Sequence, residues 1–406
     1  MPKSPDEVFR PGSPDPGGAY VERSELESQI DSFFGQSRAG LLTGISGSGK
    51  TWLYKKCLER NHIRSCSLNL QPQYPKRIED LAGVELGKRG QFKARSANRK
   101  FGLKAVIGWF GGTAESSNTL EARDEDVVYE LIKYLQQDDP KTAVCLVIEN
   151  IEQGLMNPQS LHDLRALIMK MTDEPFTSMN AHLLLVSANM ELLSRLTNVE
   201  AGEAIIRRIE VFSEVTSFSE DEAKKLIEEG FEKQLKMRIS QKGRFLESCR
   251  ISTAYRPDYM QQFCLEVANI ARAEKNTVSK SVIDKALSKW EKTRLAPYKK
   301  RINNFMNQGD TKKSARDKIM IVISDHGFSD HFTPRDVLRE LERRFPDLKF
   351  QQNEVTRALN FLGEDLKNGS RRILEKDDSD KNPLFRFSDH STRIACSFFT
   401  RPNELE

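Results

Sequence analysis

With 406 residues, 38% hydrophobic and 30% charged, the chain is too long for one compact core, and two or three domains are expected. No apolar run approaches the ~18 residues of a membrane span and Met1-Pro-Lys-Ser-Pro5 lacks the apolar core of a signal peptide, so a cytoplasmic protein without a membrane partner is expected. The net charge of +4 permits nucleic-acid binding without arguing for it, and the six scattered cysteines (Cys57, Cys66, Cys145, Cys249, Cys264, Cys396) form no C-x-x-C pair and no histidine cluster is near them, so neither a zinc site nor a disulfide framework is indicated.

Residues 1–20, rich in proline and glycine, predict a flexible leader. Ser24-Glu-Leu-Glu27 is a capping-box pattern, and Leu26, Ile30, Phe33 and Phe34 recur at helical spacing behind it. Ala39–Thr43 is a short apolar strand. It runs into Gly44-Ile45-Ser46-Gly47-Ser48-Gly49-Lys50-Thr51, a full match to G-x-x-x-x-G-K-[ST], and Trp52–Glu59 has helical composition. This strand-loop-helix context predicts a phosphate cradle. Backbone N–H groups and a helix N-terminus face the phosphates, Lys50 reaches the β and γ phosphates, Thr51 ligates Mg²⁺, and Trp52 opens the helix. A strand over 63–70 follows, then an irregular stretch to about residue 122. Further on come a helix over 124–137, an apolar strand over 143–148, a helix over 161–171, and strands over 183–186 and 209–212. Apolar strands separated by helices predict a parallel sheet covered on both faces, an α/β P-loop core over residues 21–218 with an insertion at about 72–122.

After Phe218 only helices are expected, over 219–235, 243–248, 258–275 and 279–290, forming a helical lid over residues 219–298. Residues 299–400 carry helices over 314–323, 333–344 and 353–366 and two strands over 371–375 and 383–387. Three helices and a hairpin predict a winged-helix domain.

A P-loop needs an acidic partner at the end of a neighbouring strand. Glu149, directly after the apolar strand, is the candidate carboxylate on the Mg²⁺ side. Asn150 occupies the place where a catalytic glutamate is common, and an amide cannot act as a base, so slow hydrolysis is expected. Glu152 is a substitute base if its loop brings it close. Asn189, after Val186-Ser-Ala, is a candidate sensor of the γ-phosphate, the alternative being a helix N-cap. Arg207 and Arg208 are candidates for an arginine finger, in cis or from a neighbouring subunit, or else a solvated pair. Arg256, beside Pro257, is a second candidate phosphate contact or a surface residue.

With these elements the chain resembles the AAA+ and STAND ATPases, and within them the archaeal origin-recognition initiators. The resemblance rests on Gly44–Thr51, the strand ending in Glu149-Asn-Ile-Glu152, Asn189, the arginine pair, Tyr255-Arg-Pro257 and the C-terminal domain. It implies an ATP-driven switch whose nucleotide state sets the lid and winged-helix orientation, commonly with homo-oligomerisation, and an adenine pocket involving Tyr20-Val21. The chain departs from the pattern at Glu149, where the relatives carry aspartate, at Asn150, and at Tyr255-Arg-Pro257, where STAND lids carry Gly-x-Pro. The insertion of roughly 50 residues is a further departure.

Within that insertion, Lys88 to Lys104 holds seven basic residues and no acidic one, with Phe92 and Phe101 interleaved. Lys93, Arg95, Arg99 and Lys100 are candidate nucleic-acid contacts, the alternative being a solvated hairpin. A second basic run, Lys299-Lys-Arg301 with Lys312, Lys313, Arg316 and Lys318, precedes a helix carrying Gln351, Gln352, Asn353 and Arg357. That helix could enter a major groove with Arg371 and Arg372 on the wing. Two functional readings follow. One is an ATP-dependent switch that engages DNA, in genome maintenance, transposition or defence against invading DNA; the other is a nucleotide-binding scaffold that hydrolyses ATP poorly and signals to an effector protein without nucleic-acid contact.

Overall fold

The computed structural model describes residues 3–13, 15, 17–70, 77–89, 126–137, 139, 141–154, 158–188, 191–197, 202–306, 315–325, 327–329, 331–367, 369–377 and 383–400. The chain divides into two compact units, Glu22–Thr216 and Met1–Val21 together with Ser217–Glu406.

The first unit is built on β1 (Ala39–Thr43), β2 (Arg64–Asn69), β3 (Val144–Glu149), β4 (Ala181–Ser187) and β5 (Ile209–Val211), in the order β2-β3-β4-β1-β5 with every pairing parallel. β1 and β4 are buried along their whole length, as strands covered on both faces must be. Edge strand β2 alternates instead: Cys66 and Leu68 are buried, Ser67 and Asn69 exposed. One face is closed by helices Ser24–Gln36 and Lys50–Arg60, which contribute Ile30, Phe33, Leu53, Tyr54 and Leu58. The other is closed by Val127–Gln136, Pro158–Met171 and a helix not expected from the sequence, Ile78–Lys88. Ile78, Ala82 and Leu86 repeat every fourth residue on its buried face, and the Arg77 N–H donates to Asp80 at 3.1 Å in a capping box. The expected insertion therefore opens with regular structure; residues 90–125 lie outside the described residues.

In the second unit, Ser219 caps Glu220–Ile227, and helices Lys242–Thr253, Pro257–Ala273, Lys280–Trp290 and Ala296–Phe305 follow. Helices Ala315–Ser324, Pro334–Arg344 and Gln352–Leu362 precede the antiparallel pair β8 (Leu374–Asp377) and β9 (Leu384–Phe387), numbered after the short parallel pair β6 (Arg238–Ile239) and β7 (Thr277–Val278). Phe332 bridges Phe385 of β9 through backbone hydrogen bonds of 2.9 and 3.0 Å, adding a third strand position to the wing.

Three expectations change here. The leader is not a mobile tail: Pro5–Val8 is helical, and Val8 and Phe9 are fully buried in the helical unit. Phe9 lies on Phe231 at 5.1 Å between centroids, against Gly230, where a Cβ would come within 2.4 Å of the Phe9 ring. The boundary at residue 298 does not separate two bodies either, because one continuous core runs from Val8 to Cys396. An unforeseen helix, His390–Thr400, packs on both Lys242–Thr253 and Ala315–Ser324, and the Tyr259 hydroxyl meets Ser391 Oγ at 2.6 Å. Finally, Arg371 and Arg372 precede β8 rather than lying within the strand.

Candidate functional site

The loop between β1 and helix Lys50–Arg60 has the backbone of a phosphate cradle. Gly44, Gly47 and Gly49 hold φ of 151°, 80° and 93°, conformations that side-chain-bearing residues rarely adopt. A Cβ on Gly44 would lie 2.3 Å from the Val215 carbonyl oxygen, so only glycine fits there. Lys50 opens the helix, and its Nζ donates to the carbonyls of Gly44 and Ile45 at 2.5 and 3.0 Å, at the heart of the loop. Ile45 is half-buried and Ser46 is exposed at the crest. Ser48 is 1% exposed, yet among the described residues its hydroxyl has no hydrogen-bond partner. A buried hydroxyl of this kind beside the N-terminus of an 11-residue helix suits an anion, and these residues fit a triphosphate. Trp52 lies half-buried in the helix's first turn.

Opposite the loop, β3 ends in Glu149. Its Oε1 accepts hydrogen bonds from the Thr51 hydroxyl at 3.3 Å and the Tyr54 hydroxyl at 3.0 Å, and its Oε2 accepts one from the Ser67 hydroxyl at 2.7 Å. Thr51 and Glu149, both expected as metal residues, are thus brought together. A hydroxyl and a carboxylate are hard oxygen donors of the kind Mg²⁺ takes beside phosphates and water, so the pair fits that cation. Burial, then the neighbouring Glu149 charge, pushes the Tyr54 phenol well above its ordinary pKa, so it stays protonated and donates.

Asn150 is in the left-handed region at φ 56°, and its amide donates to Asn69 Oδ1 on β2 at 2.9 Å. The two amides hold one another, and neither can take a proton from water. Glu152 is directed elsewhere: its carboxylate accepts from the Ala188 N–H at 3.0 Å, capping the end of β4. Asn189, the candidate sensor, lies outside the described residues. Tyr54, Ser67 and Asn69 were missed by sequence reasoning. The signal available was the polar alternation of β2, which puts Ser67 and Asn69 on one face, and the spacing of Tyr54 three residues after Thr51.

The arginine candidates separate. Arg207 is exposed, and among the described residues its side chain pairs at 3.7 Å with the equally exposed Glu203. Arg208, just before β5, is engaged locally, donating to Thr172 Oγ1 at 2.7 Å and Asp173 at 2.8 Å just past the end of helix Pro158–Met171 instead of leaving a finger. Arg256 in the helical unit pairs with Asp258 at 2.8 Å and stacks 4.8 Å from the Tyr259 ring centroid. Burial raises the Asp258 pKa against the opposing pull of Arg256.

On the winged helix, Arg357 is exposed on helix Gln352–Leu362, where Gln352, Asn353, Thr356 and Asn360 line the same shallow groove. Arg371 and Arg372 are exposed too. Arg301, counted above in a basic run, is consumed internally: it donates to the carbonyls of Arg371 (3.0 Å) and Arg372, to Ser388 Oγ (2.8 Å) and to Thr392 Oγ1 (2.9 Å). Lys93, Arg95, Arg99 and Lys100 lie outside the described residues.

No family model matches the chain, and no curated protein matches it. Among solved structures, the ADP form of the Aeropyrum pernix ORC2 protein covers 100% of this chain and 99% of its own, at 14% identity and a TM-score of 0.51. The same protein in its ADPNP-ADP complexes gives 0.52 at 13% identity, covering 99% of this chain and 98% of that one. The chain has the ORC fold. The similarity extends over the sheet, the helices and the wing described above, since it covers the whole of this chain. No helix among the described residues is long and apolar enough to cross a membrane.

Proposed function

We propose that this chain is an ATP-binding switch of the AAA+ type that hydrolyses ATP slowly and couples its nucleotide state to self-association and to DNA. The observation that carries the reading is the Gly44–Thr51 cradle, with its orphan Ser48 hydroxyl, set against Glu149 across the Thr51 hydroxyl. The similar ORC2 structures, described as ADP and ADPNP-ADP forms, support a nucleotide of this class. Bound Mg²⁺ would neutralise phosphate charge. The chain's own residues bind and orient: Lys50 and the loop N–H groups take the phosphates, and Thr51 and Glu149 take the cation. Arg207, exposed beside the equally exposed Glu203, fits a finger offered to a second copy. Exposed Arg357, Arg371 and Arg372 support a DNA backbone or base contact, and in this reading the switch serves genome maintenance, transposition or defence.

Lys50→Ala is expected to abolish ATP binding measured by titration calorimetry; undiminished binding would sink the reading. Turnover is expected to be low because Asn150 cannot act as a base. Asn150→Glu should raise it by on the order of 10²-fold in a phosphate-release assay. A brisk wild-type rate, or no change on substitution, would contradict the assignment. DNA affinity should fall steeply with salt, and each Arg357→Glu, Arg371→Glu or Arg372→Glu change that removes a phosphate contact should flatten the log–log salt dependence by about 0.9. Absence of DNA binding with and without ATP would leave the effector-protein scaffold as the better account.

A further inference from the structure

Glu149 stands where a shorter aspartate is the commoner residue, and its extra methylene adds a rotatable bond that must be fixed if the carboxylate is to serve a cation. Three elements fix it. Thr51 and Tyr54, three residues apart, lie on one face of helix Lys50–Arg60 and converge on Oε1, at 3.3 and 3.0 Å. Ser67, from the neighbouring strand, closes on Oε2 at 2.7 Å. The strand register accounts for this last contact: Asn69 is opposite Glu149, so Ser67, two residues back, shares its face and reaches the carboxylate from the β2 side.

We propose, resting on the reading of this loop as an ATP site, that Tyr54 and Ser67 are positioning residues that hold the Glu149 carboxylate on the Thr51 hydroxyl and so set how strongly a divalent cation strengthens nucleotide binding. Neither is placed to touch the nucleotide through the cradle: Tyr54 is 1% exposed beneath the helix, and Ser67 belongs to the edge strand. Their action runs through the orientation of Glu149, as groups behind a metal ligand act, where loss of such a partner costs roughly 10–100-fold in metal affinity. A merely structural role for Tyr54, whose phenol would otherwise be an unsatisfied buried donor, predicts something different. In that case Tyr54→Phe lowers the melting temperature and affects nucleotide binding equally with and without the cation.

The test is the affinity of full-length protein for a fluorescent ATP analogue, measured in excess Mg²⁺ and in EDTA, for the wild type, Tyr54→Phe, Ser67→Ala, the double variant and Ser67→Thr. The expected result is a ratio of the two affinities reduced about tenfold in each single variant and further in the double, with the EDTA affinity held within about twofold. Ser67→Thr, which keeps a hydroxyl, should retain the wild-type ratio. Should Tyr54→Phe unfold, Ser67→Ala at its exposed position carries the comparison alone. An unchanged ratio in variants that still bind overturns the proposal. If the wild type binds equally with and without Mg²⁺, the ATP site stands and this inference falls; if it binds in neither buffer, the ATP reading itself falls.

Discussion

His182 on β4 is 2% exposed, edge-on to the rings of Phe33 and Phe34 at 5.5 Å each. Its Nδ1–H donates to the Ser37 carbonyl at 3.0 Å, while Nε2 is buried with no hydrogen-bond partner among the described residues. Burial pushes its pKa from 6.5 down to about 4, against the Ser37 carbonyl and helped by Arg38. Because the folded value lies below the unfolded one, the unfolded chain takes up the proton first. The stabilisation is full above about pH 6.5 and drains away as pH falls towards 4, by about 3 kcal/mol in all. Urea midpoints of the sheet unit between pH 4 and 8 should show this loss in the wild type and a smaller one in His182→Leu; identical profiles would refute it. At this scale the sequence was readable where backbone geometry dictates residue type. Gly44, Gly49 and Lys50 are required by the loop itself, so their pattern carried the site. Tyr54 and Ser67 were not readable because their role depends on Glu149, 95 and 82 residues away, through a strand register that no local pattern encodes.

Elements were misjudged where composition and packing disagree. The first residues carry the glycine and proline of a disordered tail, yet two apolar side chains, Val8 and Phe9, are enough to dock them once Gly230 leaves a space. Phe9→Ala should cost about 3–5 kcal/mol of the helical unit's stability by cavity formation, and Gly230→Ala about 1–3 kcal/mol by overpacking. Denaturant midpoints followed by the fluorescence of Trp290, 3% exposed in that unit, would check both. A midpoint unmoved by Phe9→Ala would return the segment to the tail first expected. Helix Ile78–Lys88 escaped notice because Gly83 and Gly87 lower its intrinsic propensity, whereas Ile78, Ala82 and Leu86 supply the tertiary burial that outweighs them. Arg301 shows the same limit for charge. A basic run reads as a phosphate contact until folding spends one member on carbonyls and hydroxyls of the wing.

Across the whole molecule, the parallel sheet, the helical stretch and the wing were legible because each imposes its own hydrophobic period. Their grouping was not, since one core joins the lid helices to the winged helix through long-range contacts such as Arg250 to Asp325, 3.7 Å apart. All cradle residues belong to the sheet unit. ATP at about a hundred times its Kd should therefore stabilise that unit by roughly 2.7 kcal/mol, an increment lost in Lys50→Ala and readable as a shift in its thermal transition. The division also orders events on the ribosome. Glu22–Thr216 is continuous and emerges whole, whereas residues 5–9 leave the exit tunnel before it and must wait for the stretch from Ser217 onward, some tens of seconds of synthesis at roughly 5–20 residues per second. The Gly230 recess has to be made before Val8 and Phe9 can fill it, so the sheet unit that carries the proposed ATP site can be complete while the other unit is still being translated.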